Sequence, residues 1–122
     1  MAYESKILIV NKSDIKGYDE SVKDFLWCEE IASIKLCRID DDILAKIKEY
    51  PDSDCYIWVD GEPTAYDKYG DRLTEIPLPD AIKIFGYASA VYNYRRYEPC
   101  ASLLRGFNSQ EWGGLVVLHY GY

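Results

Sequence analysis

Four consecutive apolar residues, Ile7-Leu8-Ile9-Val10, stand near the start of the chain, and such a run predicts a central strand covered on both faces. A polar loop around Gly17 follows. Between residues 19 and 39 the pattern is mixed. Val22, Phe25, Leu26 and Cys28 fit a helical stripe, whereas Ile31 to Ile39 alternates with Lys35 and Arg38, so a short helix followed by a strand is expected. Ile43, Leu44, Ile47 and Tyr50 recur on one helical face that Pro51 stops. Asp40, Asp41 and Asp42 ahead of them suit a helix start, where carboxylates meet free amides and the positive end of the dipole. Cys55 to Asp60 reads as a strand closed by an Asp60-Gly61 turn; a second turn is expected around Gly70, and residues 62 to 77 have room for one or two short edge strands.

Pro79-Asp80 suits the first turn of a helix, because proline lacks an amide that would be unpaired there. Ala81, Phe85, Ala88 and Tyr92 continue it at helical spacing, with Ile82, Ile84 and Val91 widening the stripe. Glu98-Pro99 opens a further helix through Leu103 and Leu104, with Gly106 as its C-cap. Asn108 with Glu111 forms a capping box before Gly113-Gly114, and Leu115 to Tyr120 closes the chain as a strand. The expected fold is therefore α+β: one domain over residues 1–122, with a mostly antiparallel sheet of about four strands covered by two or three helices.

Composition narrows the function classes. Aromatic residues at 15% and hydrophobic residues at 48% separate the chain from the disordered class. The longest apolar runs fall far short of the roughly 20 residues a membrane-crossing helix needs, and the N-terminus has no secretory pattern, so cytoplasmic residence is expected. The net charge of −7 is uneven: residues 1–82 hold 19 acidic and 10 basic side chains, whereas residues 83–122 hold 2 and 4. Acidic surface repels phosphate backbones, which argues against binding duplex nucleic acid. It serves solubility, or docking on a basic partner.

Catalytic and metal motifs are weak. Cys28, Cys37, Cys55 and Cys100 have no Cys-x-x-Cys spacing and only His119 to assist them, so no zinc site is expected; without a secretory signal no disulfide framework is expected either, and the four read as buried small hydrophobes. No metal or cofactor follows. Asn11-Lys12-Ser13-Asp14 after a strand matches a guanine-recognition motif, but only ten residues precede it, too few for the phosphate loop that motif requires. Cys100 and His119 lack the supporting signature of a thiolate dyad, and His119 reads as a strand residue.

The candidate binding residues are Asn93, Tyr94, Arg95, Arg96 and Tyr97, followed by Arg105 and Phe107. Three of the five arginines fall within these positions, in the net-basic third of the chain. Guanidinium forks match phosphate or carboxylate bidentately, and flanking aromatics stack on a base, which describes a pocket for a small anionic, nucleotide-like ligand. The more ordinary reading pairs the same arginines with the acidic part of the fold or sets them against a second subunit. Six of the twelve tyrosines lie after residue 86; tyrosine supplies contact area at low entropy cost, so a homo-oligomer or a large partner surface is expected.

Asn93-Tyr-Arg-Arg-Tyr-Glu-Pro, Leu103-Leu-Arg-Gly-Phe, Glu111-Trp and Leu115-Val-Val-Leu-His-Tyr-Gly-Tyr, with Tyr3-Glu-Ser-Lys-Ile at the other end, resemble small uncharacterised proteins of phages and prophages of gut Firmicutes. The resemblance covers about 40 residues at the two ends of the chain. It implies a setting, the host cytoplasm, in which small acidic non-enzymatic proteins antagonise a host defence or regulatory factor. It assigns no role to any residue.

Overall fold

The structure is a computed structural model and describes residues 4–12, 26–108 and 114–121. In chain order it contains β1 (Ser5–Asn11), β2 (Leu26–Trp27), β3 (Glu29–Leu36), α1 (Asp41–Lys48), β4 (Cys55–Val59), β5 (Glu62–Thr64), β6 (Thr74–Pro77), α2 (Leu78–Val91), α3 (Tyr94–Asn108) and β7 (Leu115–Gly121). The fold is α+β. One sheet has the order β3-β1-β7-β6 with every pairing antiparallel; a smaller one has the order β2-β4-β5.

Alternation along β1 explains the layering. Side chains of successive strand residues point to opposite faces. Ile7 and Ile9 join a core with Val117, Phe85, Ala88, Ile43, Ile47 and Leu104, beneath the helices. Leu8 and Val10 join Leu118, Tyr120, Cys55, Ile57 and Leu73, beneath the smaller sheet. An apolar run is what a strand buried on both faces requires. The two ends of the chain meet here, since β1 pairs with β7 over its whole length, from Ser5 opposite Gly121 to Asn11 opposite Leu115.

Turns form where the residue types demand. Asp60 and Gly61 both have positive φ, 53° and 81°, the conformation of a tight hairpin turn between β4 and β5. In the turn at Gly70, the Asp67 carboxylate accepts hydrogen bonds from the Tyr69 and Asp71 amides.

Several boundaries differ from the sequence reading. Leu26–Trp27 is a strand that pairs in parallel with Cys55 and Tyr56, so the expected helix does not reach Cys28; its other positions, Val22 and Phe25, lie outside the described residues, as do Gly17 and Glu111. The reading of all four cysteines as buried small hydrophobes holds for Cys100 and is corrected for the others: Cys28 and Cys55 form a disulfide, and Cys37 is a free exposed thiol. Parallel pairing brings these two strands together, a non-local event that cysteine spacing does not encode. Reducing compartments oppose such bonds, so this one weighs against the expected cytoplasmic residence.

The helix assigned to Glu98-Pro99 begins at Tyr94, with Pro99 inside it, and it runs past Gly106 to Asn108. Asn93 caps it by accepting the Arg96 amide at 3.1 Å. Phe107 packs on the helix-side core, which offsets the roughly 1 kcal/mol that a glycine costs inside a helix. Val91 and Tyr92, expected in the apolar stripe of α2, are exposed. No helix among the described residues is long and apolar enough to cross a membrane.

Candidate functional site

The seven residues of the Arg/Tyr cluster do not converge on one pocket. Asn93 is engaged as the α3 cap. Tyr97 is fully buried: its hydroxyl donates to Asp40 Oδ2 at 2.6 Å and accepts from the Asp40 amide at 2.8 Å. Burial and the Asp40 contact hold that phenol above its ordinary pKa. Arg96 reaches the same carboxylate at 3.6 Å. Arg105 pairs with Glu98 on its own helix, and Glu98 also accepts from Ser89 at 2.6 Å and Ser102 at 3.1 Å, so hydrogen bonding, first that of Ser89, lowers the Glu98 pKa. Phe107 belongs to the core margin and, with Ser102, Leu103 and Gly106, lines a separate depression of about 320 Å³. Tyr94 is 66% exposed.

What remains of the cluster is a groove of about 430 Å³ between the start of α3 and β3, where Asn93, Arg95, Arg96 and Pro99 face Ile34, Lys35, Leu36 and Cys37. Among the described residues no carboxylate lies within ion-pair distance of Arg95. The β3 wall was invisible in the sequence, because it is brought to α3 by sheet topology and not by spacing.

A second surface lies where α1 meets the end of α2. The Tyr92 hydroxyl donates to Asp42 Oδ2 at 2.6 Å, and this bond pushes the phenol pKa up to about 12. Its ring meets Tyr87 edge-on, with centroids 6.0 Å apart, and the Lys46 ammonium sits 3.7 Å from the Tyr87 ring centroid. Val91, at 60% exposure, and Tyr94 extend this apolar ground across the α2–α3 junction. Asp41 and Asp42 line the first turn of α1 beside it. The Asp triplet is thus partly a helix-start feature, but Asp40 makes no side-chain cap and serves Tyr97 and Arg96 instead.

The other polar clusters are internally satisfied. The Lys12 ammonium lies 2.8 Å from Asp54 and 3.0 Å from Glu75, whose carboxylate also accepts from Ser53. Burial works to lower the Lys12 pKa, but its bonds to Asp54 and Glu75 prevail and raise it, and Lys12 in turn lowers that of Asp54. Asp54, Cys55 and Glu75 have metal-ligand spacing. The ammonium already sits on both carboxylates, and the Cys55 sulfur is committed to the disulfide. Lys12 therefore acts as a bolt between β1 and β6, not as part of a guanine motif; Ser13 and Asp14 lie outside the described residues.

Cys100 and His119 are both fully buried. Desolvation pushes the Cys100 thiol up to about 12 and the His119 imidazolium down to about 3, which leaves the thiol protonated and the ring neutral near pH 7. His119 Nε2 shares a 2.7 Å hydrogen bond with Ser5 Oγ, joining the two ends of the chain. Both side chains are buried, and their bond ties β1 to β7. No protein-family model matches this chain, and neither a curated protein nor a solved structure is similar to it.

Proposed function

We propose that this chain is a small non-enzymatic binding protein that docks on a basic site of another protein through the acidic, tyrosine-rich surface of α1 and the α2–α3 junction. A phage-type antagonist of a host defence or regulatory factor acts in this way. The observation that carries the reading is Tyr92, exposed yet fixed by Asp42 and by the edge of Tyr87, with Val91 and Tyr94 exposed beside it. Rigid exposed aromatics lose little entropy on binding, and they are the residue types that dominate interface energies. Neighbouring carboxylates add electrostatic steering.

The test is capture from a lysate of a gut Firmicute on immobilised protein. One stoichiometric protein is expected at low salt, released as salt rises and not retained by the Tyr92→Ala/Tyr94→Ala variant. Retention by that variant, or no stoichiometric species, contradicts the proposal.

The groove at Arg95 favours a second reading, in which it holds a small anionic nucleotide-like ligand between Arg95, Arg96 and Lys35. A ligand at 100 times its dissociation constant stabilises by about 2.7 kcal/mol. A thermal-shift screen of mono-, di- and cyclic nucleotides then gives a hit that Arg95→Ala abolishes, and a flat screen removes this reading.

A further inference from the structure

The four-stranded sheet ends in two unlike edges. At one side β6 has four residues, ends in Pro77 and is already bridged at Thr74 by Asp52, a short edge with little left to pair. At the other, β3 has eight residues and no proline, and among the described residues it pairs with β1 alone. An edge of this length offers a row of backbone donors and acceptors to another strand.

The register along β3 makes that edge complementary to itself. Lys35, Ser33 and Glu30 stand opposite Lys6, Leu8 and Val10 of β1, so a bulge near Ile31 puts all three on one face at equal two-position intervals. Ile34 and Ala32 stand opposite Ile7 and Ile9 on the other face, with Leu36 and Glu29 at its two ends, opposite Ser5 and Asn11. A two-fold axis perpendicular to the sheet at Ser33 therefore sets Lys35 against Glu30 of a second copy, twice. It also sets Glu29 of the second copy beside Leu36, in the groove that holds Arg95 and Arg96. In the single chain Lys35 stands opposite Lys6, and Glu30 holds a long ion pair with Lys6, 3.9 Å between ammonium and carboxylate.

We propose that a second copy of this chain docks along β3 by antiparallel strand pairing about a two-fold axis at Ser33, making one continuous eight-stranded sheet. Charge complementarity at four points selects this occupant: two Lys35–Glu30 pairs and two Glu29 carboxylates entering the Arg95–Arg96 groove. The interface is independent of the tyrosine-rich surface, so either can fail without the other.

The test combines sedimentation with cross-linking. Wild-type protein is expected to sediment as a dimer at about 100 µM. Lys35→Glu alone weakens the dimer about tenfold, and Glu30→Lys/Lys35→Glu restores it, because the swap preserves both pairs. In a Cys37→Ser background, which removes the exposed native thiol, Ser33→Cys cross-links to itself on mild oxidation, while Ser102→Cys on the exposed face of α3 does not. A monomeric wild type overturns the proposal, including one whose β3 amides become protected only on adding an extended peptide of another protein. So does a dimer insensitive to both charge reversals, or equal cross-linking at positions 33 and 102.

Discussion

Two buried side chains, His119 and Tyr97, carry consequences that can be measured one residue at a time. Desolvation lowers the folded-state pKa of His119 from 6.5 to about 3. The unfolded chain therefore binds a proton near pH 6.5 that the folded chain refuses, and the stability contributed by the neutral ring is present above that pH and lost below it. Thermal unfolding followed from pH 7 to pH 5 is expected to fall by about 1.4 kcal/mol per unit below pH 6.5, and His119→Gln should flatten that segment. Carboxylates such as Glu98 and Asp54, whose pKa values are lowered, add to acid destabilisation only at lower pH. Tyr97→Phe removes a donor from Asp40 Oδ2 and an acceptor from the Asp40 amide; urea denaturation is expected to register a loss of about 1–3 kcal/mol with an unchanged slope.

At the scale of elements, the disulfide from Cys28 to Cys55 clips the smaller sheet together across 27 residues. In the chain-entropy account a loop of that length is worth about 3.5 kcal/mol. Unfolding in the presence of a strong reductant should lower Tm by roughly 10 °C, and Cys28→Ala/Cys55→Ala should be low in both conditions. Equal Tm values for the wild type in both conditions would refute that contribution. The elements most legible in the sequence were those with a local cause: β1 from its apolar run, α1 from Ile43 and Ile47 before Pro51, the Asp60-Gly61 hairpin from its backbone demand, and the start of α2 from Pro79. The illegible ones depend on distant partners. Leu26–Trp27 becomes a strand because β4 lies beside it, and α3 begins before Pro99 because Asn93 caps it and Tyr97 finds Asp40, 57 residues away.

For the molecule as a whole, the same logic separates what the sequence revealed of the site from what it concealed. Local crowding of arginines and tyrosines between Asn93 and Phe107 was legible in the sequence. Spacing gave no sign that Tyr97 and Arg96 would be drawn to Asp40, or Arg105 to Glu98, leaving Arg95 facing the β3 edge. Val91 and Tyr92 continue the periodicity of a core stripe, yet α2 ends at Val91 and they emerge into solvent beside Asp42. Binding should weaken with added salt, since Asp41 and Asp42 are exposed and screened charges steer poorly; Asp41→Asn/Asp42→Asn is expected to slow association more than it speeds dissociation.

The central claim is that the tyrosine-rich surface, and not the arginine groove, meets the partner, and titration calorimetry with the captured partner tests it most directly. Tyr92→Ala/Tyr94→Ala is expected to weaken binding by at least about 30-fold, the size of a hot-spot loss of about 2 kcal/mol, while Arg95→Ala leaves affinity within about twofold. The reverse pattern, with Arg95→Ala abolishing binding and the tyrosine variant unchanged, would contradict the account.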